Sequence, residues 1–152
     1  MAITIVLADD NRAYREHLRN KLNQEPDMSV VAVVENGQAG VWAIQDLARQ
    51  GQAPDLVIVD VTMLPMNGME ATRQMLSSHP RVKVLALSMH DNKQFVEAMV
   101  RAGASGYMLK DDSFADLTRA IRTVAAGHTY FSQGLNLPGS GGKPPATPGV
   151  GP

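Results

Sequence analysis

The pattern of apolar positions along the chain predicts five short β-strands. Residues 5–7 and 56–59 are continuously apolar and mostly β-branched, which is typical of strands buried on both faces of a sheet. Residues 30–34 would also fit a buried helix by polarity alone, but the run is too short and too β-branched for one. The predicted strands are residues 3–8, 29–34, 55–60, 82–88 and 105–109.

The stretches between these strands predict five helices, because their apolar residues recur with the period of a helix that buries one face. The clearest one follows Ser113, a residue suited to an N-cap, and stops before Gly127. Its apolar stripe consists of Phe114, Leu117, Ile121 and Val124. The predicted helices are residues 12–23, 38–49, 68–78, 93–102 and 114–126.

Strands that alternate with helices predict an α/β, doubly wound fold with a parallel sheet covered on both faces. We expect residues 1–131 to form one domain of five βα units. Residues 132–152 are expected to be a disordered linker or tail, because eleven of the nineteen residues from 134 to 152 are Gly or Pro.

The composition is that of an ordinary globular domain and excludes several classes of protein. The 152 residues contain no cysteine, which excludes disulfides, cysteine-ligated zinc and a thiol nucleophile. A net charge of -1 argues against binding of DNA or RNA by these residues. No apolar run approaches the ~20 residues that cross a bilayer, and the N-terminus lacks a basic signal-peptide region. We therefore expect a cytoplasmic protein without membrane contact.

Polar side chains follow four of the five predicted strands. The first strand ends in Asp9 and Asp10, the third in Asp60 and the fourth in Ser88, and Lys110 follows the fifth. In doubly wound sheets, ligands bind outside these carboxyl ends. Each residue alone is commonly a turn, cap or solvated residue. Together they indicate a functional site, because turn preference does not explain acids on two strands with a lone Lys and Ser on two others.

Three crowded carboxylates predict a bound cation. They raise one another's pKa unless a positive ion lies among them, and Mg²⁺ or Mn²⁺ suits such oxygen ligands. Lys110 can pair with one carboxylate, and both Lys110 and the metal can neutralise oxygens of a phosphoryl group. Ser88 can donate a hydrogen bond to another such oxygen. An Asp held in this way is a suitable nucleophile for formation of an acyl-phosphate.

The loops argue against other phosphate-handling folds. A dinucleotide-binding domain, a P-loop or a flavodoxin-like domain would carry a phosphate-cradling turn after the first strand, whereas this turn reads ADDNR from residue 8. A phosphohydrolase of the haloacid-dehalogenase type needs a second Asp two residues after its nucleophile, and Thr62 stands there. The site can take up a phosphoryl group but lacks the proton donor for its rapid release.

Four spaced motifs resemble the receiver domain of two-component response regulators. They are Asp9-Asp10, DVTMLPMNG from Asp60, LALSMHDN from Leu85 and AGASGYMLK from Ala102, in the family's order over about residues 2–131. The chain is most similar to the NarL/FixJ group, whose members have a LuxR-type helix-turn-helix output domain. The resemblance implies a CheY-like domain with five parallel strands in the flavodoxin-like order 2-1-3-4-5 and five flanking helices.

The resemblance also implies a role for each residue of the cluster. Asp60 would be the phosphoacceptor, and Lys110 would contact the phosphoryl group. Asp9, Asp10 and Asp60, with the backbone carbonyl of Thr62, would hold Mg²⁺ or Mn²⁺.

Further residues and partners follow from the same resemblance. Ser88 would be the switch hydroxyl and Tyr107 the aromatic switch residue, while Thr62 and His90 occupy positions that tune self-catalysed dephosphorylation. A sensor histidine kinase would donate the phosphoryl group, and phosphorylation could produce a homodimer. The domain would be a switch with at most slow self-catalysed chemistry rather than an enzyme. DNA would be bound through an output domain absent from this chain, and residues 134–152 would be the linker to it.

Two positions depart from the family pattern. Members usually have Pro four residues after the phosphoacceptor, whereas here Leu64 stands there and Pro65 follows. Because Pro fixes its own φ and restricts the preceding residue, we expect a redrawn loop over the site. Asp111 follows Lys110 where many members have a cis Pro. A cis bond to another residue costs ~3 kcal/mol, so we expect a trans or a strained peptide there.

The leading hypothesis is therefore a phosphorylation-controlled switch, and two alternatives stay open. One is a pseudo-receiver that binds partners without phosphorylation, which Leu64 and Pro65 favour and the retained acids oppose. The other is a small phosphohydrolase, which Thr62 disfavours.

Overall fold

Parallel strands form one sheet whose two faces are covered by helices. The computed structural model describes residues 2–63, 66–132 and 135. Within them, the strands are β1 (Ile3–Ala8), β2 (Met28–Val34), β3 (Leu56–Asp60), β4 (Lys83–Ser88), β5 (Gly106–Leu109) and β6 (Tyr130–Phe131). The helices are α1 (Arg12–Asn23), α2 (Gly37–Arg49), α3 (Gly68–Ser78), α4 (Lys93–Ala102) and α5 (Phe114–Ala125). The strand order is β2-β1-β3-β4-β5-β6, and every neighbouring pair is parallel.

Two apolar clusters, one on each face of the sheet, form the core. Successive strand residues point to opposite faces, so Ile5 and Leu7 of β1 pack with α1 and α5, whereas Val6 and Ala8 pack with α2, α3 and α4. All four side chains are fully buried. This double burial holds β1 rigidly inside the sheet, and with it the acids that follow its last residue.

The predicted fold class and element order are confirmed. All five predicted strands and all five predicted helices are present, and their ends lie within one residue of the predicted positions. The starts of α1, α2, α3 and α5 are well marked because a side chain caps each of them. The capping residues whose side chains accept a backbone N–H are Asn11, Asn36, Asn67 and Ser113.

The short strand β6 is an addition that the sequence pattern does not predict. It has two residues, which is too few to show the alternation of a strand, and it pairs with β5. Ser132 follows it, is buried, and donates its N–H to the Tyr107 carbonyl over 3.0 Å. Its hydroxyl donates to the Asp112 carboxylate and accepts the Leu109 N–H over 3.1 Å. These contacts hold β6 in place at the edge of the sheet.

Two of the sequence predictions concern residues outside the described part. The displaced Leu64 and Pro65 are not described, nor is the predicted linker or tail apart from Ser132 and Leu135. Both predictions stay predictions. Among the helices that the structure does describe, none combines the length and the apolar character needed to span a membrane.

Candidate functional site

Asp9, Asp10 and Asp60 lie together at the carboxyl ends of β1 and β3. These strands are neighbours, and the pairing of Ala8 with Val59 places the residues that follow side by side. One carboxylate oxygen of each acid lies within 4.8 Å of the others. Asp9 and Asp60 are buried, whereas Asp10 is exposed. The cluster therefore opens to solvent on the side of Asp10.

Lys110, which follows β5, completes the cluster. Its Nζ lies 2.7 Å from Asp9 Oδ2 and 3.5 Å from Asp60 Oδ2, and its side chain is only 11% exposed. The Lys110 N–H donates to the Ser88 carbonyl over 2.8 Å, which ties the base of the side chain to the end of β4. A buried ammonium requires paired anions. In this structure its closer partner is Asp9 rather than Asp60.

The Asp60 carboxylate is electrostatically destabilised. The pKa of Asp60 is raised above its usual value, mainly by burial and next by the neighbouring Asp9 carboxylate. The Lys110 ammonium opposes this shift. The Thr62 N–H donates to Asp60 Oδ1 over 3.3 Å and so orients the group. A carboxylate in this position is stabilised by any further positive charge that approaches it.

The donor set suits a hard divalent cation. Mg²⁺ binds oxygen ligands and is usually held by one or two carboxylates with retained waters. Here three carboxylates face one ammonium, which leaves an excess of negative charge. The carboxylates that could hold the ion are those of Asp9, Asp10 and Asp60. The exposed Asp10 leaves room for waters on the open side.

Two glycines hold the backbone around the loop after Asp60. A Cβ on Gly68 would lie 2.6 Å from the Asp60 carbonyl oxygen, and one on Gly37 would collide with the Met66 carbonyl oxygen. The Gly37 N–H donates to that same carbonyl over 3.2 Å. Close backbone approach of this kind needs glycine. The loop is thereby attached to the first turns of both α2 and α3.

Ser88 and Tyr107 meet at the backbone of His90. The His90 N–H donates to Ser88 Oγ over 2.9 Å, and the Tyr107 hydroxyl donates to the His90 carbonyl over 2.7 Å. Both side chains are fully buried, and burial raises the pKa of Tyr107. The His90 ring stacks on Phe95 of α4 with centroids 4.8 Å apart. Sequence reasoning missed this junction, because backbone atoms mediate it.

Sequence reasoning also missed Tyr14. The Lys110 Nζ lies 4.7 Å from the centroid of the Tyr14 ring. Burial, with the Asp9 and Asp60 carboxylates, raises the pKa of the Tyr14 hydroxyl to about 12. Tyr14 belongs to the first turns of α1, where an aromatic residue is usually interpreted as part of the apolar face. The sequence indicated a place near the acids only through the short separation of four residues between Asp10 and Tyr14.

The known proteins that this sequence matches are response regulators. Residues 5–122 match the family described as response regulator receiver domain. Transcriptional regulatory protein DegU of Brevibacillus brevis is 38% identical over 129 residues, which are 85% of this chain and 52% of that protein. Response regulator GacA of Pseudomonas syringae pv. syringae is 35% identical over 130 residues, 86% of this chain and 58% of that protein. The chain thus spans little more than half the length of these relatives.

Solved structures agree with the sequence matches. A LuxR-family two-component response regulator from Aurantimonas sp. SI85-9A1 superposes with a TM-score of 0.79 at 29% identity, covering 87% of this chain and 90% of that one. The signal receiver domain of the putative regulator NarL from Mycobacterium tuberculosis gives 0.77 at 26% identity, covering 84% and 98%. The fold, the acidic cluster and the family match lead to one conclusion: the chain belongs to the response regulator receiver domain family, of the type found in NarL/FixJ-group regulators.

Proposed function

We propose that this receiver domain accepts a phosphoryl group on Asp60 from a sensor histidine kinase, in a reaction that depends on Mg²⁺. The observation that carries the proposal is the arrangement of Asp60 itself. It is buried, its charge is disfavoured by Asp9, and the ammonium of Lys110 lies 3.5 Å from its Oδ2. A carboxylate of raised energy beside a cation is prepared to attack phosphorus.

The transfer would be a direct displacement. An oxygen of Asp60 forms a bond to phosphorus while the bond between phosphorus and the phosphohistidine nitrogen breaks, and the imidazole keeps the electron pair. Asp60 Oδ1 accepts the Thr62 N–H, whereas Oδ2 faces the Lys110 ammonium at 3.5 Å. Oδ2 would therefore be the attacking oxygen, because a cation lies beside it to receive the phosphoryl charge. Lys110 would then move its charge from Asp9 toward the new phosphoryl oxygens.

Asp9, Asp10 and Asp60, with the Thr62 carbonyl, would hold Mg²⁺ or Mn²⁺. When bound, the ion would supply positive charge to the phosphoryl oxygens and reduce the repulsion among the acids. Within the chain itself, Asp9 orients Lys110, and the exposed Asp10 keeps the entrance polar.

Ser88 and Tyr107 would carry the signal away from Asp60. The Ser88 hydroxyl accepts the His90 N–H, and it would donate its own hydrogen to a phosphoryl oxygen. Tyr107 already lies fully buried against the His90 carbonyl. The segment that changes on phosphorylation would therefore be the loop at His90, which leads directly into α4.

The domain would act as a switch with at most slow self-catalysed phosphorylation and dephosphorylation. Thr62 is exposed at the position where a phosphohydrolase would place its general acid. Without that acid, the acyl-phosphate would persist long enough to signal.

The wider role is suggested by relatives such as DegU, a transcriptional regulatory protein about twice as long as the matched region. The chain would work in the cytoplasm. It would receive its signal from the kinase, form a homodimer on phosphorylation, and control DNA binding by an output domain. Residues 1–131 would be the receiver domain, to which the buried Ser132 is bonded, and residues 134–152 would be the linker to that output domain.

The proposal is tested by nuclear magnetic resonance titration with Mg²⁺ and beryllofluoride, a mimic of the phosphoryl group. We expect saturable shifts of the amides of Asp60, Ser88 and Lys110 that require both Mg²⁺ and beryllofluoride. Asp60→Asn should abolish the beryllofluoride response. Asp111→Asn, the same chemical change at an exposed acid beside Lys110, should leave it intact.

The pseudo-receiver alternative makes the opposite forecast. A domain of that kind would show no Mg²⁺ binding at millimolar concentration, and beryllofluoride would leave its spectrum unchanged. That result would overturn the proposed function.

A further inference from the structure

The Lys110 ammonium is surrounded on three sides within the described residues. Asp9 Oδ2 lies at 2.7 Å, Asp60 Oδ2 at 3.5 Å, and the face of the Tyr14 ring at 4.7 Å from its centroid. Two of these neighbours are anions that compete for the charge. The Tyr14 ring, by contrast, is uncharged and attracts the ammonium through the negative face of its π system.

This difference matters because Lys110 has to change partners. In the structure it lies closest to Asp9, whereas the proposed phosphoryl transfer takes place at Asp60. A lysine side chain is flexible, and an ammonium released from Asp9 would otherwise turn toward water. A ring face holds the ammonium by its quadrupole and leaves its N–H donors available, whereas a third carboxylate would occupy them.

We infer that Tyr14 is a positioning residue that holds the Lys110 ammonium beside Asp60 through the face of its ring. The inference rests on the proposed function for its effect on phosphorylation, but the contact itself is a property of the free domain. Because the ring and not the hydroxyl makes the contact, Tyr14→Phe should preserve it. Tyr14→Leu and Tyr14→Met, which keep an apolar side chain without a ring, should remove it.

The first test reports on position and needs no metal. Protons over an aromatic face are shifted upfield by the ring current, so the Lys110 ε-methylene protons should resonate upfield of those of exposed lysines. We expect this shift in the wild-type chain and in Tyr14→Phe, and its loss in Tyr14→Leu and Tyr14→Met. An unshifted Lys110 in the wild type would overturn the inference.

The second test measures the initial rate of phosphorylation by acetyl phosphate with Mg²⁺, in which acetate leaves as the Asp60 oxygen bonds to phosphorus. We expect Tyr14→Leu and Tyr14→Met to be slower by on the order of five-fold, the scale of one partly buried cation–π contact. Tyr14→Phe should stay close to wild type. The matched control is Phe114→Leu, which removes a ring 4.4 Å from the Lys21 ammonium and should leave the rate unchanged.

The outcomes separate the two claims. If the wild type is phosphorylated and the Leu and Met variants are as fast, the positioning role of Tyr14 is wrong while the proposed function stands. If the wild type takes no phosphoryl group, the proposed function is wrong. The ring-current shift of the Lys110 resonances then tests by itself whether the Tyr14 ring holds the ammonium. Two ringless variants are used so that poor folding of one, detected by circular dichroism, does not remove the test.

Discussion

At the scale of single residues, the charge of Asp60 opposes folding when no metal is bound. Asp60→Asn keeps the shape of the side chain and the acceptor for the Thr62 N–H, and it leaves Lys110 paired with Asp9 at 2.7 Å. We therefore expect the substitution to increase the free energy of unfolding at pH 7 in chelator-treated buffer. The gain should be about 1 kcal/mol, the usual scale of a single substitution. Urea denaturation would measure it.

The same effect gives a pH dependence with a defined sign. The pKa of Asp60 is raised by burial and by Asp9, so the folded state binds the proton more tightly than the unfolded state. Asp60 then reduces stability as the pH rises from its unfolded pKa of about 3.9 through the higher folded value. The advantage of Asp60→Asn should be present at pH 7 and disappear toward pH 4. A variant less stable than wild type at pH 7 would contradict this explanation.

Some contacts of single residues at the site could be predicted from the sequence, and others could not. The approach of Asp9, Asp10, Asp60 and Lys110 to one another was predictable, because strand ends in a parallel sheet meet at one edge. The packing of Tyr14 against Lys110 was not predictable, since it depends on how α1 is rotated over the sheet. The Lys110 ammonium lies closer to Asp9 than to Asp60 by less than an ångström. No pattern of residue types in the sequence predicts so small a difference in distance.

At the scale of elements, the contacts of Ser132 hold β6 against β5. Its hydroxyl bonds to Asp112 and to the Leu109 N–H, and its N–H bonds to the Tyr107 carbonyl. Ser132→Ala removes the hydroxyl bonds, so we expect a loss of about 1 kcal/mol in the free energy of unfolding. Amide exchange at residue 132 should also become faster.

Ser77→Ala is the matched control for this prediction, because Ser77 is exposed in α3. It should not lower the stability, because Ala favours a helix more than Ser does, and it should leave amide exchange at residue 132 unchanged. Equal stability of Ser132→Ala and wild type, with unaltered exchange at residue 132, would show that β6 does not depend on this hydroxyl.

Elements differ in how readily the sequence predicts them. The helices were predicted to within one residue because each has an amphipathic stripe, and most have a capping Asn or Ser. The buried strands were equally clear, because short, continuously apolar runs rich in β-branched residues are typical of strands covered on both faces. By contrast, β6 is defined by its neighbours: two residues carry no periodicity, and the hydrogen bonds that hold it come from Leu109, Asp112 and Tyr107.

At the scale of the whole molecule, metal binding should be coupled to stability. The acids repel one another in the free domain, and an ion that binds only the folded state stabilises it. We expect Mg²⁺ at ten times its dissociation constant to add about 1.4 kcal/mol to the free energy of unfolding, and a chelator to reverse this. Asp10→Asn should remove most of the gain, with little effect on the free domain because Asp10 is exposed. An equal gain in the variant would place the ion elsewhere.

The packing of the whole domain also bears on how the proposed switch would work. β1 and β3 are buried between two apolar clusters, which keep Asp9 and Asp60 fixed. The residues that would relay the change, Ser88 and Tyr107, meet instead at the backbone of the exposed His90. A rigid acidic cluster beside a loop with few buried contacts is a suitable arrangement for the proposed two-state switch.

The central claim is that Asp60 accepts a phosphoryl group, and intact-mass spectrometry tests it most directly. The chain would be incubated with acetyl phosphate and Mg²⁺ and then treated with hydroxylamine, which cleaves acyl-phosphates. We expect the wild type to gain the mass of one phosphoryl group, to lose it on hydroxylamine treatment, and to gain none in the presence of a chelator; Asp60→Asn should gain none under any condition. A wild-type chain that stays unmodified, or an Asp60→Asn chain modified to the same extent, would contradict the claim.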